Sequence, residues 1–182
     1  MNVTLDTYFF LGIGGIGMSA LAKYYALKGC CVLGYDAVKT DLTQSLESLG
    51  IEVFYEDNHT HLPDQLNSAA VTKVVYTPAV PQSSEWFSYF KANGFNMVKR
   101  AALLGETTEL SFCYAVAGTH GKTTTSAILA HLLDASGVNI TAFLGGVAHN
   151  FGSNLLLKDT AITVVEADEF DRSFFSLSPN VA

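Results

Sequence analysis

The sequence predicts an α/β protein built on parallel sheets, and three observations predict it. Short apolar runs alternate with helical stretches from residue 7 onward. Two glycine-rich loops, at residues 12–17 and 118–122, each join an apolar run to a helix. The strand–loop–helix pattern then begins afresh near Leu110. Together these predict a Rossmann-like parallel-sheet domain over residues 1–109, followed by the start of a P-loop ATP-binding α/β domain over residues 110–182.

The elements follow in order. Residues 7–11 (TYFFL) are a short apolar strand. Leu21, Tyr24, Tyr25 and Lys28 recur at helical spacing, which predicts a helix over 18–28 stopped by Gly29. Residues 31–35 (CVLGY) read as a second buried strand, 42–49 as a helix ended by Gly50, and 51–54 as a third strand. A fourth strand over 71–76 runs into the turn Thr77-Pro78-Ala79-Val80-Pro81. A helix over 84–93 ends at Gly94, a short strand spans 96–99, and a helix covers 101–109. In the second unit, 111–117 is a strong buried strand and 123–135 a helix closed by Gly137. Residues 141–144 and 161–165 are two further strands. This gives the second unit three strands and one clear helix, fewer than a nucleotide-binding sheet usually has. The Gly-rich segment from Gly145 to Gly152, with His149 and Asn154, reads as a substrate loop.

Composition narrows the function. The chain has 182 residues, 49% hydrophobic and 15% charged, enough apolar material to bury a core and exclude general disorder. Ten Lys+Arg against seventeen Asp+Glu leave a net charge of −7, a poor basis for gripping nucleic acid. Anionic ligands must therefore be held at local sites. Cys30, Cys31 and Cys113 form no disulfide framework and read as reduced thiols in a cytoplasmic protein. The start carries Asp6 and no Lys or Arg before its apolar run, unlike a secretory signal. The uncharged stretches 7–22 and 135–157 are broken by glycines and polar residues, so no membrane insertion is expected.

Three motifs carry chemistry. Gly12-Ile13-Gly14-Gly15-Ile16-Gly17 follows a strand and opens a helix, where glycines let the backbone approach a diphosphate. Asp36, at the end of the second strand, is placed to accept from a ribose hydroxyl. The alternative is a packing turn with no ligand; a redox dinucleotide is not implied. The second motif is Gly118-Thr119-His120-Gly121-Lys122-Thr123-Thr124, again between strand and helix. Its amides can wrap phosphates, Lys122 can reach the outer ones, and the Thr123 hydroxyl can hold Mg²⁺. Val116 stands where a strict Walker A has glycine, so this is a shorter variant of that loop. The third is Glu166-Ala167-Asp168-Glu169-Phe170-Asp171, where a strand ends among acids. Beside a P-loop, Glu166 is placed to bind Mg²⁺; an ordinary solvated loop is the alternative. His59 and His61 have no third ligand nearby and read as a solvated turn, and His131 as a helix residue.

GIGGIGMSALA, TPAVP, AGTHGKTTT and EADEFDRSF, taken together, resemble the Mur ligases of peptidoglycan synthesis, from about Tyr8 to the last residue. The resemblance implies an ATP- and Mg²⁺-dependent amide-forming ligase. It acts on UDP-N-acetylmuramic acid through an acyl phosphate and releases ADP and phosphate. His120 and EADEFDRSF are similar to the members adding L-alanine or a preformed tripeptide, and the latter string favours L-alanine. It implies that Gly12, Gly14, Gly15, Gly17 and Ser19 hold the UDP diphosphate, with Thr77, Ala79 and Arg100 completing that pocket beside Asp36, read above as the ribose acceptor. Lys122, with the loop from Gly118 to Thr124, would bind ATP; Thr123 and Glu166 would hold Mg²⁺; His120 and Asn154 would face the muramic acid. By the family pattern the rest of the ATP domain, a metal-binding histidine and a C-terminal domain lie beyond Ala182, so the chain corresponds to an N-terminal part. Two readings from other classes compete: a non-catalytic nucleotide-binding module, and an NAD-dependent oxidoreductase that leaves the second and third motifs unexplained.

Overall fold

In the computed structural model, which describes residues 7–60, 62–66, 68–167 and 174–182, the chain forms two units, one ending at Arg100 and one beginning at Ala101. The first is a five-stranded, wholly parallel sheet in the order β3-β2-β1-β4-β5. Its strands are β1 (Thr7–Leu11), β2 (Cys31–Tyr35), β3 (Glu52–Phe54), β4 (Thr72–Tyr76) and β5 (Asn96–Lys99). The helices are α1 (Ile16–Leu27), α2 (Asp41–Glu47) and α3 (Glu85–Ala92), with a 3₁₀ turn over Asp64–Leu66. Gly29, Gly50 and Gly94 follow the helices at the predicted positions, each at positive φ.

Strand alternation sorts the core. Phe9 and Leu11 join Leu33, Val74, Trp86, Phe87 and Phe90 in one cluster. On the alternate face of β1, Tyr8 stacks on Tyr25 of α1 at 4.1 Å. Trp86 is pinned as well as packed: its ring N–H donates to the Glu56 carbonyl (3.0 Å), and its backbone N–H to Asp57 (3.2 Å). Beneath α1, Gly34 lets Ile13 seat fully buried. A Cβ at Gly34 would lie 2.6 Å from Ile13 Cδ1 and 2.7 Å from the Phe10 carbonyl oxygen. Gly34→Ala is therefore expected to destabilise by about 1–3 kcal/mol, the usual effect of overpacking a close-packed core. Denaturant unfolding checks this, and an unchanged midpoint with unchanged slope would refute it.

The second unit holds α4 (Arg100–Thr108, which crosses the division), α5 (Lys122–Ala135) and a four-stranded sheet. Its strands are β6 (Phe112–Val116), β7 (Thr141–Ala148), β8 (Ser153–Leu157) and β9 (Ile162–Glu166), in the order β6-β9-β7-β8. This corrects the expectation of three strands and one helix. The segment expected as a substrate loop is the second half of β7 and the turn of a β7–β8 hairpin, antiparallel from Thr141↔Leu157 to Ala148↔Ser153. Its glycines hid the strand because they break the apolar pattern, while the ladder needs only backbone groups. The division also falls before α4, whereas the sequence places the restart near Leu110; α4 meets the end of the chain, where Gly105 lies directly against the Ser176 carbonyl. Residues Asn180 and Val181 donate to the Cys113 carbonyl (2.9 and 3.2 Å) on the edge of β6. Among the described residues no helix is long and apolar enough to cross a membrane. Cys30, Cys31 and Cys113 are free thiols, and burial pushes the Cys113 thiol up from its ordinary pKa.

Candidate active site

Strand register assembles the first site. Phe54, Tyr35, Leu11, Tyr76 and Lys99 lie in one row across the sheet. The next residues along four of those strands are Asp36, Gly12, Thr77 and Arg100, so four separate sequence predictions leave one carboxyl edge together. The strand order reverses direction between β1 and β4, the place where open α/β sheets bind ligands. Gly12 turns there at φ +81°, and a Cβ on it would sit 3.1 Å from Val80 and 3.2 Å from Thr77. Ala79 is exposed at the tip of that turn, its N–H 3.5 Å from the Thr77 hydroxyl. A Cβ at Gly17 would lie 3.1 Å from Arg100 Nη1, which places the guanidinium over the first turn of α1.

Two of the expected ligand residues make hydrogen bonds within the unit itself. Asp36 reaches the glycine loop itself: its carboxylate accepts from Gly14 N–H at 2.8 Å and Val38 N–H at 3.1 Å. It therefore pins the loop, whatever else it accepts. Ser19 is fully buried with its hydroxyl donating to the Ile16 carbonyl (3.0 Å). The serine falls three residues into the helix, where a short polar side chain turns back to a carbonyl.

The two helices that follow glycine loops differ from the other capped helices. α2 and α3 start with side-chain caps, Thr40 and Ser84, and carry an acid in the first turn, Asp41 and Glu85. α1 and α5 start at Gly15 and Gly121, with no side-chain cap and no acid in the first turn. With no side-chain cap and no acid in the first turn, the positive end of each helix dipole suits an external anion.

The second site sits at the start of α5. Gly121 takes φ +79°, a left-handed conformation that lets the loop swing sharply into the helix. Thr119 and His120 are exposed on the loop beside it, with Gly118 and Thr124 also at the surface. Lys122 Nζ folds back to donate to the Gly118 carbonyl at 2.7 Å. β9 lies between β6 and β7, and Glu166 pairs in register with Val116, the last residue before the loop. The topology thus closes the long sequence gap: Thr123 Oγ1 lies 3.1 Å from Glu166 Oε2. The other carboxylate oxygen accepts from Ser126 Oγ (2.9 Å) and Gly145 N–H (2.7 Å). Ser126 and Gly145 escaped sequence reasoning. Ser126 stands three residues past Thr123 on the same helix face, a usable signal, whereas Gly145 comes from a strand pairing that no local pattern reports.

Thr123 and Glu166 offer two hard oxygen ligands. Adjacent ligands of an octahedral Mg²⁺ at 2.0–2.1 Å stand about 2.9 Å apart, close to the observed pair, so the residues present fit that ion. No cluster of three His, Cys, Asp or Glu that could hold a metal occurs among the described residues. Asp168, Glu169 and Asp171, and also His61, lie outside the described residues. His59 pairs with Glu85 at 3.7 Å and stacks on Tyr89. Asn154, expected at the substrate, is fully buried in β8; His149 is exposed.

The model of the Mur ligase family, catalytic domain, matches residues 7–111. The chain belongs to the Mur ligase family. This Mur ligase chain is 54% identical over 176 residues to the UDP-N-acetylmuramate–L-alanine ligase of Christiangramia forsetii, covering 96% of the chain and 39% of that protein. It is 51% identical to the enzyme of the same name from Flavobacterium psychrophilum, covering all of the chain and 41% of that protein. Among solved structures, the UDP-N-acetylmuramate-alanine ligase of Thermotoga maritima superposes with a TM-score of 0.86 at 32% identity, covering 96% of this chain and 40% of that one. The UDP-N-acetylmuramate:L-alanyl-gamma-D-glutamyl-meso-diaminopimelate ligase of Neisseria meningitides gives 0.89 at 27% identity, covering 98% of this chain and 60% of that one. The Mur ligase chain thus spans 39% and 41% of the length of the two curated relatives.

Proposed function

We propose that this chain supplies the UDP-sugar-binding unit and the phosphate-loop unit of an ATP-dependent ligase joining L-alanine to UDP-N-acetylmuramic acid. The observation that carries the reading is the pair of uncapped helix N-termini, one of them with Thr123 and Glu166 drawn together. Two anionic substrates need two phosphate cradles. In the first unit the loop from Gly12 to Gly17 and Arg100 would hold the diphosphate, with Thr77 and Ala79 walling it. In the second, amides from Gly118 to Thr124 would wrap the ATP phosphates and Lys122 would neutralise them.

Transfer of a phosphoryl group to a carboxylate brings like charges together. Lys122 and the α5 amides stabilise the charge that develops on the phosphoryl oxygens and on departing ADP. Thr123 and Glu166 would hold Mg²⁺, which when bound neutralises phosphate charge and polarises the phosphoryl group. His120, exposed on the same loop, would face the muramic acid. The alanine amine then displaces phosphate from the activated carboxyl to form the amide.

The relatives named for L-alanine favour that acceptor over the tripeptide. In the full-length protein, ADP release that depends on UDP-N-acetylmuramic acid is expected to be faster with L-alanine than with the preformed tripeptide. Faster coupling of tripeptide would assign the chain to the peptide-adding reaction instead. ADP release with neither acceptor would favour a nucleotide switch.

A further inference from the structure

We propose that Ser126 is a positioning residue that, with the Gly145 amide, locks one oxygen of Glu166 and so makes the cation site choose Mg²⁺ over Ca²⁺. The inference rests on reading Glu166 as a cation ligand and goes beyond it, to how the carboxylate is presented. Glu166 uses its two oxygens unequally. Oε1 accepts from Ser126 Oγ at 2.9 Å and from Gly145 N–H at 2.7 Å. Both of its in-plane lone pairs are occupied. Oε2 meets only the Thr123 hydroxyl in this set, at 3.1 Å. A cation arriving beside Thr123 therefore finds one carboxylate oxygen, not two.

The Ser126 proton has two acceptors within reach. The Thr123 carbonyl lies at 3.1 Å and the Glu166 carboxylate at 2.9 Å. The carboxylate is nearer and charged, and charge-assisted hydrogen bonds are the stronger kind, so the proton points at Glu166. Ser126 is also fully buried on α5, which fixes its direction. Gly145 supports the arrangement from a second element, β7. A Cβ there would overlap the Glu166 carboxylate, so only glycine lets β7 pass this close with its N–H aimed at Oε1.

Denticity separates the two ions. Mg²⁺ wants near-ideal octahedral geometry at short distances and takes single carboxylate oxygens. Ca²⁺ takes six to eight oxygens and readily accepts both oxygens of one carboxylate. A carboxylate with Oε1 tied to Ser126 and Gly145 suits the first and handicaps the second.

The test is calorimetric titration of Mg²⁺ and of Ca²⁺ into the full-length protein with ADP, in wild type, Ser126→Ala, Ser126→Thr and Glu166→Gln. Loss of an outer partner of a metal ligand typically weakens the metal by about 10–100-fold. Ser126→Ala is expected to weaken Mg²⁺ by about tenfold while Ca²⁺ holds or tightens, so the Mg²⁺/Ca²⁺ ratio falls. In turnover the Mg²⁺ concentration for half-activation should rise, with kcat at saturating Mg²⁺ little changed. Ser126→Thr, which restores a hydroxyl, should recover the ratio. Should Ser126→Ala fail to fold, Ser126→Cys keeps the volume, weakens the donor and reads the same shift. An unchanged ratio in Ser126→Ala, with Glu166→Gln impaired, overturns the positioning role alone. Glu166→Gln binding Mg²⁺ like wild type overturns the reading of Glu166 as a ligand, and this proposal with it.

Discussion

Replacing Lys122 with alanine is expected to lower turnover of the full-length ligase by about 10²–10³-fold, the scale of losing one preorganised transition-state contact. Lys122 Nζ reaches back across the loop to the Gly118 carbonyl at 2.7 Å, which holds its ammonium against the loop. A group held there needs no reorganisation when charge builds on the transferring phosphoryl group, and its attraction grows as that charge builds. Ground-state binding of ATP should weaken less than turnover, because the contact tightens toward the transition state. Lys122→Arg should rescue poorly, since a planar fork on a longer stem does not replace a compact ammonium. Single-turnover ADP formation separates the chemical step from release. Turnover within a few-fold of wild type, in a variant with unchanged circular dichroism, would remove Lys122 from the reaction.

The sequence made the edge residues legible and left the middle of the second sheet obscure, for physical reasons. Glycine loops after apolar runs announce themselves because a tight approach to an anion demands glycine at fixed positions. Asp36, Thr77 and Arg100 could be placed at one edge because each stands just past a strand, and parallel register then gathers such residues there without any further signal. Helix ends were equally readable, since Gly29, Gly50 and Gly94 stand where the chain must leave the helix. The β7–β8 hairpin was not legible. Residues 145–152 hold three glycines, and β8 takes its place from antiparallel pairing with Phe143, Ala142 and Thr141 rather than from its own alternation. For the same reason Gly145 could not be tied to Glu166, although Thr123 could, because a strand and a P-loop carry a topological rule and a hairpin edge does not. Ser19 is a different case. Its position near the loop suggests a ligand contact, and in the fold this buried helical serine donates its hydroxyl to a carbonyl of its own helix.

Replacing Gly14 with valine is expected to weaken UDP-N-acetylmuramic acid binding by about 100-fold or more, while most of the fold survives. Space, not backbone conformation, sets the constraint: a Cβ at Gly14 would lie 2.8 Å from Asp36 Oδ2 and 2.9 Å from Thr43 Cγ2. Neither neighbour yields cheaply. Asp36 is held by the Gly14 and Val38 amides, and Thr43 is fully buried in a capping box with Thr40 that starts α2. The loop must move instead, carrying the Gly15 turn and the first amides of α1 away from the diphosphate. Losing two charge-assisted hydrogen bonds at about 1.5 kcal/mol each is worth about 3 kcal/mol, or roughly 100-fold in affinity. The stability cost should stay within the ~1–3 kcal/mol of local overpacking, because the strain is confined to one turn at the sheet edge. Calorimetry with the UDP-sugar, alongside thermal unfolding, reads both quantities. Undiminished affinity in a folded Gly14→Val variant would show that the diphosphate does not rest on this loop, and the first phosphate cradle would have to be sought elsewhere in the chain.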